Sequence, residues 1–121
     1  MGILQFINLW HNRKNKFKEE YGVDFPETEK QRCEITNQVA SKLIKIYRLM
    51  LMELASMEQK KQVLFDPFDP ISSVAFDINL IIYSKRVKEF ERLAWLACFA
   101  GFPKKFIDYV KEKSEEIGAI T

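Results

Sequence analysis

The residue types that could carry chemistry are few and scattered. The chain has one histidine, His11, followed by Asn12-Arg13-Lys14-Asn15-Lys16-Phe17-Lys18. A lone histidine without a cysteine or carboxylate at ligand spacing does not make a zinc site. No serine sits in the strand–turn–helix elbow that would enlist it in a triad. It reads as an exposed or half-buried helix residue. Carboxylates pair at Glu19-Glu20, at Glu27 with Glu29, and at Glu115-Glu116. Their flanks are polar and charged, so a solvated face explains them better than acid–base work. No Glu-x-x-His pattern appears, which a di-iron bundle would need. Gly2, Gly22, Gly101 and Gly118 are isolated at segment ends, unlike a phosphate loop or a dinucleotide fingerprint. The expectation is a non-enzymatic chain, with no catalytic residue, no cofactor and no metal.

The basic residues are the next candidates. Arg13, Lys14, Lys16 and Lys18 could touch phosphates, with Trp10, Phe17 and Tyr21 nearby for stacking. Lys42, Lys45 and Arg48 could extend that surface. Against this stands the balance of the whole chain. Nineteen basic residues face seventeen acidic ones, a net charge of +2. Phosphate-driven affinity demands several clustered cations. Fourteen of the nineteen are lysines, which serve as solvated point charges rather than as forks for phosphate or guanine. A nucleic-acid accessory role is therefore the second reading.

These side chains must be positioned by helices. The chain has 121 residues, of which 47% are apolar and 30% charged. That is too apolar for a disordered chain, and the length fits one helical domain spanning 1–121. Residues 3–21 predict a first helix, with Ile3, Ile7, Trp10, Phe17 and Tyr21 on one stripe and Gly22 as its terminator. Pro26 then forces Phe25 out of helical geometry. A second helix starts near Thr28, whose side chain can pair with Gln31 in a capping box. Its seam is Ile35, Val39, Leu43, Ile46, Met50, Leu54 and Met57, in steps of three and four.

The tandem Phe-Asp-Pro copies at 65–70 break this pattern, and Asp69-Pro70 is a fitting start for a third helix. Residues 74–83 fit both periods; with no second strand to pair with, helix is the better reading. Leu93 to Ala100 is apolar all round and is expected to be central. Gly101-Phe102-Pro103 stops that helix. A last helix opens at Pro103, with Phe106, Ile107 and Val110 inward, and Gly118 is expected to end it. Lys104 with Asp108, and Asp108 with Lys111, are expected as neighbouring charge pairs. The fold expected is all-α: an irregular bundle of about four helices, two of them long.

The longest apolar runs are about ten residues, against roughly twenty for a membrane span. Membrane contact is therefore not expected. The N-terminal apolar run lacks a preceding basic region and a small-residue cleavage site, so it is not read as a signal peptide. Cys98 lies in an apolar run and reads as a buried free thiol. With only two cysteines, this points to a reducing, cytoplasmic compartment.

Between Leu43 and Met52 the second helix carries more apolar surface than one solvated face allows. Leu49, Leu51 and Met52, with Phe65 and Phe68 on the following loop, are the candidate interface for a protein partner or for self-association. The function expected is a small binding protein (an adaptor, assembly subunit or regulator) acting through helix-mediated contacts.

Overall fold

The computed structural model describes the backbone of residues 3–59 and 70–120, and the side chains of Ile3, 9–58 and 77–116. Four helices follow one another: α1 Ile3–Tyr21, α2 Glu29–Gln59, α3 Pro70–Phe99 and α4 Lys104–Ile120. They pack on each other as an all-α bundle, and residues 74–83 are helical, inside α3.

Local chemistry fixes the boundaries. The Gln31 amide donates to Thr28 Oγ1 at 3.2 Å, and the Thr28 and Glu27 amides donate to Gln31 Oε1 at 3.2 and 2.6 Å. This reciprocal capping box satisfies donors that the first turn of α2 would otherwise leave bare. Gly22 closes α1 at φ 71°, in the left-handed region. At the end of α3 the Phe102 amide donates to the Ala97 carbonyl and the Gly101 amide to that of Cys98, both at 3.0 Å. That is a Schellman closure, with Gly101 at φ 100°. Phe102, the residue after the glycine, is buried beside Ala97 in the core.

Side-chain contacts give the directions. Tyr21 Oη donates to the Leu93 carbonyl at 2.6 Å, while Trp10 packs on Phe99 with ring centres 5.1 Å apart. So α1 runs antiparallel to α3. The connector 22–28 returns along α1: Lys18 meets Asp24 at 3.2 Å and Lys14 meets Glu27 at 2.7 Å. Then α2 sets out antiparallel to α3, with Arg32 beside Gly101 at one end and Asn79 Nδ2 donating to Glu53 Oε2 at 2.9 Å towards the other. Finally α4 follows α2 in the same direction, with Tyr47 Oη donating to Glu115 Oε1 at 3.5 Å.

The core gathers Phe17 and Tyr21, then Val39, Leu43 and Ile46, then Phe90, Leu93, Leu96, Ala97 and Ala100, then Phe102, Ile107 and Val110. The expected seam of α2 is the buried one. Val39, Leu43, Ile46 and Met57 are inside, and Ile35, Met50 and Leu54 are half-buried.

Five expectations need correction. Ile3 is exposed rather than on a buried stripe, because Trp10 already stands level with the last residue of α3 and the turns before it have no α3 to lie on. The stretch Leu93 to Ala100 is buried on one side only. Leu93, Leu96, Ala97 and Ala100 are inside, while Trp95 and Cys98 face out. Cys98 is therefore an exposed free thiol, as is Cys33. Gly118 does not stop α4, which continues to Ile120. Among the described residues the ion pair along α4 is Lys113 with Glu116 at 3.1 Å rather than the pairs expected at Asp108.

The two left-handed glycines differ in their surroundings. A Cβ at Gly22 meets nothing within 4 Å, whereas one at Gly101 would lie 2.9 Å from Arg32 Nη1. Gly22→Ala should cost about 1 kcal/mol, the left-handed penalty alone. Gly101→Ala should cost about 1–3 kcal/mol, since strain and the displaced guanidinium add. Thermal denaturation of the two variants checks the order.

Candidate interaction surfaces

The two halves of the α2–α3 pair are covered differently. The half near Gly101 is flanked by α1 and α4. The other half runs on beyond them, because α2 and α3 have 31 and 30 residues against 19 and 17 for α1 and α4. On α3 the overhang starts past Leu93, where α1 ends, and on α2 it starts past the level of Tyr47, which α4 reaches at Glu115. On it Met52, Ile78, Leu80 and Ile81 are exposed at 62, 52, 45 and 56%. Ile78 and Ile81 are three residues apart and share one side of α3.

The overhang is held in register by a polar contact. Asn79 is only 8% exposed, and its amide donates to Glu53 Oε2 at 2.9 Å and lies 3.5 Å from Ser56 Oγ. A buried amide paired to a carboxylate across two helices disfavours sliding of one past the other, because a slip would leave it unsatisfied.

Of the residues expected at an interface, Met52 is exposed. Leu51 is half-buried, and Leu49 is half-buried and packed against the core. Phe65 and Phe68 lie outside the described residues. Ile78, Leu80 and Ile81 were missed, since their apolar spacing reads equally as a buried stripe. The signal that could have found them is helix length: two helices of about thirty residues cannot be covered along their length by two much shorter ones.

The basic set expected to touch phosphate is dispersed and internally engaged. The Arg13 guanidinium lies 4.5 Å from the Trp95 ring centre and 5.4 Å from that of Phe99. Lys14 pairs with Glu27 and stands over Trp10 and Phe25, at 5.1 and 5.4 Å. Lys16 meets Glu19 at 3.7 Å, and Lys18 meets Asp24 at 3.2 Å. Arg13 and Lys16 point towards α3, whereas Lys14 and Lys18 point towards the returning connector. Lys42, Lys45 and Arg48 form no ion pair among the described residues, but they stand on α2 and are not brought to the α1 set.

One open groove lies between α3 and α4, with α2 below it and a volume of about 400 Å³. Met50, Phe90 and Ile107 make its floor, and Tyr47, Tyr83, Glu91 and Lys111 its edges. Burial, and then the negative charge of Glu115, push the Tyr47 phenol up from its ordinary value. His11 is exposed on α1, and among the described residues no three His, Cys, Asp or Glu side chains come together as a metal site. No described helix is long and apolar enough to cross a membrane.

Compared with known proteins, the chain matches no family model, no curated protein and no solved structure.

Tyr21 ties α1 to α3, and burial, followed by the charge of Glu20, pushes its phenol well above the ordinary value of 10.0. The folded state therefore holds this proton more tightly than the unfolded one. Its stabilisation is complete below pH 10.0 and declines as pH rises further. Denaturant titrations should show stability falling above that pH. Tyr21→Phe should lower stability by about 1 kcal/mol at neutral pH and flatten the alkaline decline.

Proposed function

We propose that the protein is a non-enzymatic docking module, an adaptor or assembly subunit that binds a protein partner through the overhanging half of the α2–α3 pair. One observation carries this reading: Met52, Ile78, Leu80 and Ile81 are all exposed on a segment whose register is held by Asn79, and Ile78 and Ile81 share one side of α3. Neighbouring exposed apolar side chains such as Ile78 and Ile81 mark interaction sites more often than isolated ones do. Fully burying one such chain is worth about 1.5–3 kcal/mol, and at these exposures about half of that remains to be gained. Met52 adds a flexible, polarisable chain that adapts to a partner's shape. A rigid helical platform keeps the ordering cost of binding low.

A nucleic-acid accessory role is the weaker proposal. Arg13, Lys14, Lys16 and Lys18 already have internal partners, which a phosphate would have to displace. We assign the module to the cytoplasm, where two free, exposed thiols persist best.

The test is affinity capture from native extract using wild type and Ile78→Glu/Ile81→Glu, with and without nuclease. Both positions are solvent-exposed and glutamate is a good helix former, so the variant keeps its fold. The expected result is a protein retained by wild type, resistant to nuclease and lost with the variant. Capture indifferent to the substitutions, or abolished by nuclease, would count against the docking role.

A further inference from the structure

We propose that α1 and the connector behind it are a releasable cover: residues 3–27 lift from α3 as one unit, pivoting about the start of α2, while α2, α3 and α4 stay packed. The release takes place at the end of the α2–α3 pair opposite the apolar overhang and does not depend on the docking role.

Many of the contacts that shape α1 stay inside this unit. Lys18 pairs with Asp24 and Lys14 with Glu27, both on the connector, and Lys16 pairs with Glu19 along the helix. The Phe17 ring lies 4.8 Å from that of Tyr21 and 5.6 Å from that of Phe25, and Trp10 lies 6.4 Å from Phe25. These partners travel with the helix and are kept when it leaves. The ties across to α3 are a separate set. Among the described residues they are the Tyr21 hydroxyl on the Leu93 carbonyl, the Glu20–Arg92 pair at 3.0 Å, and the packing of Trp10, Arg13 and Phe25 around Phe99 and Trp95. The Glu20–Arg92 pair stands at the surface, where salt screens it.

Burial separates α1 from α4. Of the described side chains on α1, Phe17 and Tyr21 are buried, while Leu9 and Trp10 are 40 and 39% exposed. By contrast α4 buries Ile107, Val110 and Ser114, with Phe102 just ahead of it. Elements with less buried apolar contact open locally before the whole molecule does. The pivot is marked by the capping box of Thr28 and Gln31, which closes the first turn of α2 and stays with that helix. A helix of 19 residues is marginal alone in water, so α1 frays once it has lifted. Its departure uncovers Leu96 and Phe99 beside the exposed Trp95. The cover thus hides an apolar strip of α3 whose exposure rises with ionic strength.

Amide hydrogen exchange of the full chain, read residue by residue at about 0.05 and about 0.5 M NaCl, tests this. Residues 14–21 should be protected at least about tenfold less than residues 39–46 and 93–97, and less than residues 107–114. High salt should speed exchange of residues 14–21 about two- to fivefold, and Arg92→Gln should do the same at low salt. Arg92 is exposed and glutamine is a good helix former, so that variant keeps its fold. Val110→Ala weakens the packing of α4 on α2, which release leaves intact. It should speed residues 107–114 at least about fivefold and leave residues 14–21 unchanged, and the smaller truncation Ile107→Val should do so more weakly. An α1 that exchanges only together with residues 39–46 and 93–97, or no faster than residues 107–114, overturns the proposal. So does an α1 that responds to neither salt nor Arg92→Gln, or one that Val110→Ala speeds as much as it speeds α4.

Discussion

The antiparallel pairing of α2 with α3 is the constraint on which everything else rests. These helices are 31 and 30 residues long, and they bury the central stripe of the core from Val39 to Ile46 against Phe90 to Ala100. The shorter helices can only cover part of that length. Both dock where the pair is bounded by the capping box at Thr28 and the glycine closure at Gly101, because the connectors at 22–28 and 100–103 are short and begin there. Among the described residues the core cluster gathers at that end, and towards the far end the Asn79–Glu53 bond joins the two helices. The exposed Met52, Ile78, Leu80 and Ile81 follow from this mismatch of lengths rather than from any local irregularity.

A second theme is the use of charge to hold α1. Its apolar stripe is thin: of the described side chains, Phe17 and Tyr21 are buried and Trp10 is partly exposed. The helix is instead fastened by Tyr21 to Leu93, by Glu20 to Arg92, by Arg13 over Trp95 and by the two lysine pairs to the connector. Exposed pairs of this kind contribute about 0–1 kcal/mol each. Several around one helix still fix its rotation, so cations that look free for a ligand in the sequence are committed in the fold. The cations of α3 beyond the end of α1, Lys85 and Lys88, escape this use.

Much of the scaffold was legible because its signals are local. Thr28 with Gln31, Gly22, Gly101 and the three-and-four seam of α2 each act within a few residues, and each stands where it was expected. Residues 74–83 went to helix because a strand would have had no partner. The misreadings at Ile3 and Cys98 share another origin. Each required knowing which neighbour lies over a helix face, and hydrophobic spacing reports only that a face is apolar. Gly118 was misread because glycine stops a helix only where the backbone turns left-handed.

The amino-acid sequence by itself determined four helices, their caps, the two long members and the inward face of α2, because periodicity and capping are properties of neighbouring residues. Only the tertiary structure decided that α1 and α4 cover one half of the α2–α3 pair. It alone placed Trp95 and Cys98 outside and split the basic residues of α1 between two sides. Those outcomes depend on the relative lengths, directions and rotations of packed helices, which are set by contacts between residues dozens of positions apart.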